Sequence, residues 1–375
     1  MIQTIFLYET SFLFKMQTCG NYQIMNKCGE GSSCNVYYAI HTTLKLPVAL
    51  KIFRKDELTE SEIKMVKREI ELMSSVDCSN IVSFYEDFED ENNIYISMEY
   101  ASKGTLAYLL ENNIPLLNDQ IKSIIFQIAT ALKYLHTEKH IIHRDIKPEN
   151  ILFNQLNKVK IADFGLSTLK VEGAIKRTRC GTPLFASPEM IRGEGYSFKT
   201  DIWSFGVLMY VLICRKYPFF NNNIQLLYHQ IFDDEIKIPE TVDSLLADLI
   251  SGCLCKDPNL RFDIDQVLNH PYFGIPKTLP MLPRYHKNQR AVYDSLNKVG
   301  FSNEKICELV MSKDQQMTAM IKILTDHIGM RIKKSTSSYK INVSRSCKIH
   351  SAFSINALNR DGVSRVCNLA RRVSK

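Results

Sequence analysis

The sequence contains no Cys-x-x-Cys pair. Its eleven cysteines are scattered and odd in number, and the closest two are Cys253 and Cys255. This argues against a disulfide framework or a zinc site and for a reducing compartment, cytoplasmic or nuclear. No stretch reaches the roughly 18–20 uncharged apolar residues of a membrane span. No internal repeat is present. The first fifteen residues, MIQTIFLYETSFLFK, are apolar, but no basic residue precedes the run, Glu9 interrupts it and no small-residue cleavage site follows. Residues 1–20 therefore read as an N-terminal extension rather than a signal peptide. Acids are nearly missing from the C-terminal part. From Arg331 to Lys375 there are eleven Lys and Arg against one acid, Asp361, a net of +10. The whole chain carries +7, so the preceding 330 residues sum to −3. The basicity belongs to a tail at 329–375, rich in serine, which reads as solvated and suited to an anionic partner such as lipid, nucleic acid or an acidic protein.

What remains is an ordinary globular balance, 45% hydrophobic and 23% charged over 375 residues. That length accommodates one large domain and a small one. Residues 21–52 alternate apolar and polar with turn signals, which predicts strands. Ser61–Ser75 places Ile63, Val66, Ile70 and Met73 on one helical face. Strand-like runs follow at Ile81–Tyr85 and Ile94–Tyr100. After Gly104 the spacing turns helical, with Asp119–Thr137 amphipathic and Asp201–Cys214 apolar nearly all round. The order is a strand-rich lobe at 21–100, then a helix-rich lobe at 101–273. Three prolines (Pro276, Pro280, Pro283) mark 274–290 as a linker. A compact helical region follows at 291–328, where Ser302 caps a helix with Glu304 in its first turn.

Chemistry concentrates in His143-Arg-Asp145-Ile-Lys147-Pro148-Glu149-Asn150, where a carboxylate, an ammonium and an amide share a stretch whose proline rules out a helix interior. Around it stand Gly29-Glu30-Gly31, with Cys34 and Val36 downstream; Lys51 after the strand Val48-Ala49-Leu50; Glu69 on the next helix; and Asp163-Phe164-Gly165 after the strand Val159–Ala162. Each alone is weak. Together, in this order, they resemble the eukaryotic protein kinases.

The resemblance implies an α+β, two-lobed fold, with a small antiparallel β lobe bearing one main helix and a large helical lobe. It implies transfer of the γ-phosphate of ATP to a protein hydroxyl with Mg²⁺. On that template Asp145 orients the acceptor hydroxyl and takes its proton, and Lys147 neutralises the moving phosphate. Asn150 and Asp163 are hard oxygen ligands for Mg²⁺. Lys51 grips the α- and β-phosphates and is held by Glu69. Gly29, Glu30 and Gly31 close over the nucleotide, and Val36, Ala49, Met98, Glu99 and Ala101 line its base, with Met98 as gatekeeper. Ser187-Pro188-Glu189 matches the end of the activation segment, with Glu189 paired to Arg261, and Asp201 is expected to bond the catalytic-loop backbone. His143 and Phe164 are expected to stack in the family's apolar regulatory column.

Lys147 and Thr182 are similar to the serine/threonine class. Thr178 is the implied activating phosphosite, with Arg144 as its partner and an upstream kinase as its writer. The sequence departs from the pattern at Cys34, in place of the third glycine, and at Ser187. It departs also at Thr105, where many kinases of basic substrates carry a glutamate; Glu149 is retained. Residues 291–328 are similar to the ubiquitin-associated-like helices of the AMP-activated and microtubule-affinity-regulating kinases. A generic three-helix appendage packing on the large lobe is the alternative, as is an Aurora- or polo-like assignment of the catalytic domain. The full Lys51, Glu69, Asp145, Asn150 and Asp163 set weighs against a pseudokinase scaffold.

Overall fold

The computed structural model describes residues 17–31, 34–165, 168–169, 183–274, 289–334 and 353–355. The small lobe opens with β1 (Thr18–Cys19), β2 (Tyr22–Gly31), β3 (Asn35–His41) and β4 (Pro47–Arg54). The helix α1 (Glu60–Ser75) then leads to β5 (Phe84–Glu89) and β6 (Asn93–Glu99). These strands form an antiparallel sheet in the order β1-β2-β3-β4-β6-β5. The long helix of the small lobe starts where the sequence supplies a reciprocal cap. Glu62 N–H donates to Thr59 Oγ1 while the Glu62 carboxylate accepts from Thr59 N–H, which satisfies two orphan donors at once. Its buried face is Val66, Glu69, Leu72 and Met73, so one carboxylate is carried inward with three apolar neighbours.

The large lobe contains α2 (Leu106–Glu111), α3 (Asn118–Lys133), β7 (Ile141–Ile142), β8 (Ile151–Phe153), β9 (Val159–Ile161) and β10 (Thr168–Leu169). It continues through α4 (Pro188–Arg192), α5 (Phe198–Cys214), α6 (Ile224–Asp233), α7 (Ser244–Cys253) and α8 (Ile264–Leu268). The helix α5 is buried at every residue from Thr200 to Leu212, as its apolar sequence requires. The predicted strand at Ile81–Tyr85 starts later, at Phe84, because Ile81 forms only an isolated bridge to Ile161 of β9. The helix expected to run to Thr137 stops at Lys133 and passes into a wider turn, Tyr134–Glu138.

Three more helices follow, α9 (Gln289–Lys298), α10 (Asn303–Met311) and α11 (Gln315–Lys334). The last runs beyond the expected boundary at 328 and takes in residues assigned to the basic tail. Among the described residues these helices share their core with the small lobe. The small-lobe sheet is apolar on both faces. One face, with Val36, Ala49, Ile96 and Met98, belongs to the main core. The other, with Tyr22, Ala39, Val48, Leu50, Tyr85 and Tyr95, forms a second core with Val292, Leu296, Ile306, Met317, Ile323 and Leu324 of the three helices. Polar ties mark its edge: Tyr85 OH donates to Asp326 Oδ2 at 3.2 Å and Gln315 Nε2 to the Asp87 carbonyl at 2.8 Å. In the tail, β11 (Phe353–Ile355) pairs parallel to β2 at Gly29–Gly31.

Candidate active site

The catalytic loop is hung from α5. Asp201, fully buried, accepts from His143 N–H at 2.9 Å and Arg144 N–H at 2.7 Å, and its Oδ2 lies 2.8 Å from His136 Nε2. Burial opposes ionisation of Asp201, but His136, His143 and the main-chain donors outweigh it and hold its pKa below the usual carboxylate value. The anchor allows strain. Arg144 and Asp163 both sit at positive φ, +68° and +66°, a conformation non-glycine residues adopt at a cost, and one that clusters at active sites.

Within the loop, Lys147 Nζ lies 2.7 Å from Asp145 Oδ2. Asn150 Nδ2 donates to the Asp145 carbonyl at 2.8 Å and to Oδ2 at 2.9 Å. The aspartate is thereby fixed by its main chain and its side chain. The other amide atom, Asn150 Oδ1, is buried without a hydrogen-bond partner, which leaves an oxygen available to a ligand.

Across the cleft, β4 places Lys51 between Val36 and Ile96 on the neighbouring strands. Its ammonium lies 2.7 Å from Glu69 Oε1 and 3.3 Å from Asp163 Oδ1. The inward face of α1 and the strand β9 therefore converge on one cation. Burial alone would lower the Lys51 pKa, but Asp163 and Glu69 more than reverse this and keep it an ammonium. For Asp163, burial is outweighed by Lys51 and the Gly165 N–H, so the carboxylate is held ionised. For Glu69, burial prevails over Lys51 and raises its pKa. We take the pair as ionised because 2.7 Å is the length of a charge-assisted bond.

The His143 and Phe164 rings meet edge to face with centroids 5.2 Å apart, as expected for the apolar column. Glu189 takes a two-pronged bond from Arg261, at 2.6 and 2.9 Å, both buried. Val36, Ala49 and Met98 are buried above the cleft. Gly29 and Glu30 pair with Val36 and Asn35 of β3, and Glu30 is ion-paired to Lys27. Ala101 follows β6 at the crossing between lobes. Glu99 has a further tie through its side chain. Its side chain is committed to Lys160 at 2.6 Å and to Ser83, a role that nothing in the local sequence signals. Thr105 is also committed, since its hydroxyl caps α2 by accepting from Tyr108 N–H. Arg144 lays its guanidinium 4.0 Å from the centre of the Tyr196 ring. Thr178 and Gly181-Thr182 lie outside the described residues.

No cluster of three or more His, Cys, Asp or Glu suited to a metal occurs among the described residues. Asp163 and Asn150 offer two hard oxygen donors, which would fit a cation that also takes phosphate oxygens. No helix among the described residues is long and apolar enough to cross a membrane.

Residues 22–273 match the family model described as the protein kinase domain. An Aurora kinase of Candida glabrata is 39% identical over 254 residues, covering 67% of this chain and 70% of that one. The carbon catabolite-derepressing protein kinase of the same yeast is 33% identical over 292 residues, 77% of this chain and 47% of its own length. The SNF1-related protein kinase catalytic subunit alpha KIN12 of Arabidopsis thaliana is 32% identical over 304 residues, 79% of this chain and 61% of its own. The chain thus spans about half to three-fifths of the length of these last two.

Proposed function

From the premise that the chain belongs to the protein kinase family and is a serine/threonine protein kinase, we propose which of its groups carry the transfer. The observation that supports the assignment is the meeting of Lys51 with both Glu69 and Asp163, at 2.7 and 3.3 Å, opposite an Asp145 fixed by Asn150 and Lys147. Lys51 holds the α- and β-phosphates of ATP. Asp163 and Asn150 hold Mg²⁺, which neutralises phosphate charge when bound. Gly29, Glu30 and Gly31 cover the phosphates, Val36, Ala49 and Met98 enclose the base, and the main chain at Glu99–Ala101 meets its edge. Asp145 aligns the Ser or Thr hydroxyl and accepts its proton, while Lys147 offsets charge on the moving group. Most of the rate gain is positioning and electrostatics, since the protein forms no covalent bond in this transfer.

Regulation follows the same logic. Phosphate on Thr178, about −1.5 to −2 in charge, is placed there by an upstream kinase and pairs with Arg144. The helices α9–α11 support membership of the AMP-activated and microtubule-affinity-regulating group, as does the greater extent of the carbon catabolite-derepressing and KIN12 alignments, which outrun 22–273. The catalytic domain serves an Aurora-like assignment equally well. Glu149 favours substrates with a basic residue, and the tail at 329–375 an anionic partner. The test is phosphorylation of a degenerate peptide library by wild type and by Asp145→Asn. Wild type should label Ser or Thr peptides, and Asp145→Asn should lose nearly all transfer while still binding nucleotide. A wild type that binds ATP without labelling any peptide overturns the assignment.

A further inference from the structure

The Glu99 carboxylate lies where the lobes join, and the transfer chemistry makes no use of it. Lys160 Nζ, on β9, donates to Glu99 Oε2 at 2.6 Å, with the side chains only 6% and 2% exposed. Ser83 donates twice to the same oxygen, from its N–H at 3.3 Å and its hydroxyl at 3.2 Å. The main chain repeats the junction. Glu99 N–H donates to the Ser83 carbonyl, Val82 N–H to the Ile161 carbonyl and Ile161 N–H to the Asn80 carbonyl, at 2.8 to 2.9 Å. Three segments are thus stitched together. Residues 80–83 and the end of β6 belong to the small lobe, while β9 belongs to the large one and reaches Asp163 three residues after Lys160. Asp163 then meets Lys51 of the small lobe at 3.3 Å.

We infer that Glu99 and Lys160 are positioning residues that set the angle between the lobes, and with it the separation of Lys51 and Asp163 across the triphosphate. The inference rests on reading this cleft as the ATP site. Burying two charges is expensive, and it is offset only in good geometry with further hydrogen bonds. A pair that is satisfied in one arrangement penalises every other. The main-chain bonds alone leave the lobes free to rock about residues 80–83 and the hinge. When the pair is broken, the fraction of molecules with the lobes in register falls. The apparent affinity for nucleotide falls by that fraction.

The experiment compares Lys160→Met, Lys160→Arg and wild type by nucleotide titration and steady-state kinetics. Lys160→Met should raise the Kd and KM for Mg·ATP by about tenfold, with the peptide KM within about twofold, and Lys160→Arg should restore most of the loss. A purely structural pair predicts something different: lower thermal stability with an unchanged KM for ATP in the folded enzyme. That result overturns the inference. So does a lower KM or a higher kcat, which would mark the pair as a restraint on catalysis. Should Lys160→Met fail to fold, Glu99→Gln and Ser83→Ala test the same oxygen, and wild-type ATP affinity in both overturns it. If wild type labels no peptide, the kinase assignment fails, and the nucleotide titration still decides the role of the pair.

Discussion

Replacing Ile323 by alanine tests whether α9–α11 are part of the small lobe or a separate module. Ile323 is fully buried in the core shared with Leu50, Tyr85 and Tyr95 of the sheet. The change removes three carbons, worth about 2.4 kcal/mol at ~0.8 each. The sheet behind the site is held by its strand pairing and collapses little, so a cavity remains and the loss rises to about 3–4 kcal/mol. Because the same cluster covers one whole face of the sheet, the loss should be felt by the small lobe as well as by the helices. The assay is denaturant unfolding followed in parallel by far-ultraviolet circular dichroism and by kinase activity. The two transitions should coincide and shift together to lower denaturant. A loss below about 1 kcal/mol refutes the reasoning, given that fully buried Ile→Ala changes cost about 2–5. So does a first transition that melts helix while activity survives, because the helices would then be a detachable appendage.

His41 is buried, accepts from Leu44 N–H at 3.2 Å and packs edge-on against Tyr22. Burial pushes its pKa down from 6.5 to about 4. The folded state therefore binds this proton less readily than the unfolded chain, and stability is full above pH ~6.5 and lost as pH falls towards 4, by roughly 3 kcal/mol in all. The stability difference between wild type and His41→Gln should shrink as pH is lowered from about 7 to about 5 in urea titrations; a pH-independent difference contradicts a neutral buried imidazole. Thr178→Ala should lower kcat/KM by at least about tenfold if phosphate there completes the peptide site, the loss of a single charge-assisted contact being about 1.5–3 kcal/mol. Full activity in that variant would move the switch elsewhere.

The residues of the site were legible because phosphoryl transfer demands chemical types at close sequence spacing. Asp145, Lys147 and Asn150 lie within six residues, so one turn of rigid loop brings them together whatever the remainder does. Element types were legible from periodicity: α5 announces its burial by being apolar on every side, and α1 by the stripe of Ile63, Val66, Ile70 and Met73. The approach of Lys51 to Glu69 and Asp163 spans 18 and 112 residues and was inferred only through family likeness. Two things had no local signature. The buried tie of the Glu99 side chain to Lys160, 61 residues on, arises only where β6 and β9 pass each other. The second apolar face of the sheet looked like ordinary strand alternation, and nothing in residues 291–328 said that they would cover it. The sequence alone therefore determined which groups do the chemistry and which stretches become helix or strand, since both follow from side-chain type and spacing along the chain. Tertiary structure decided which buried charge meets which, and where the last three helices rest. Those outcomes depend on desolvation and shape between surfaces that become neighbours only after folding.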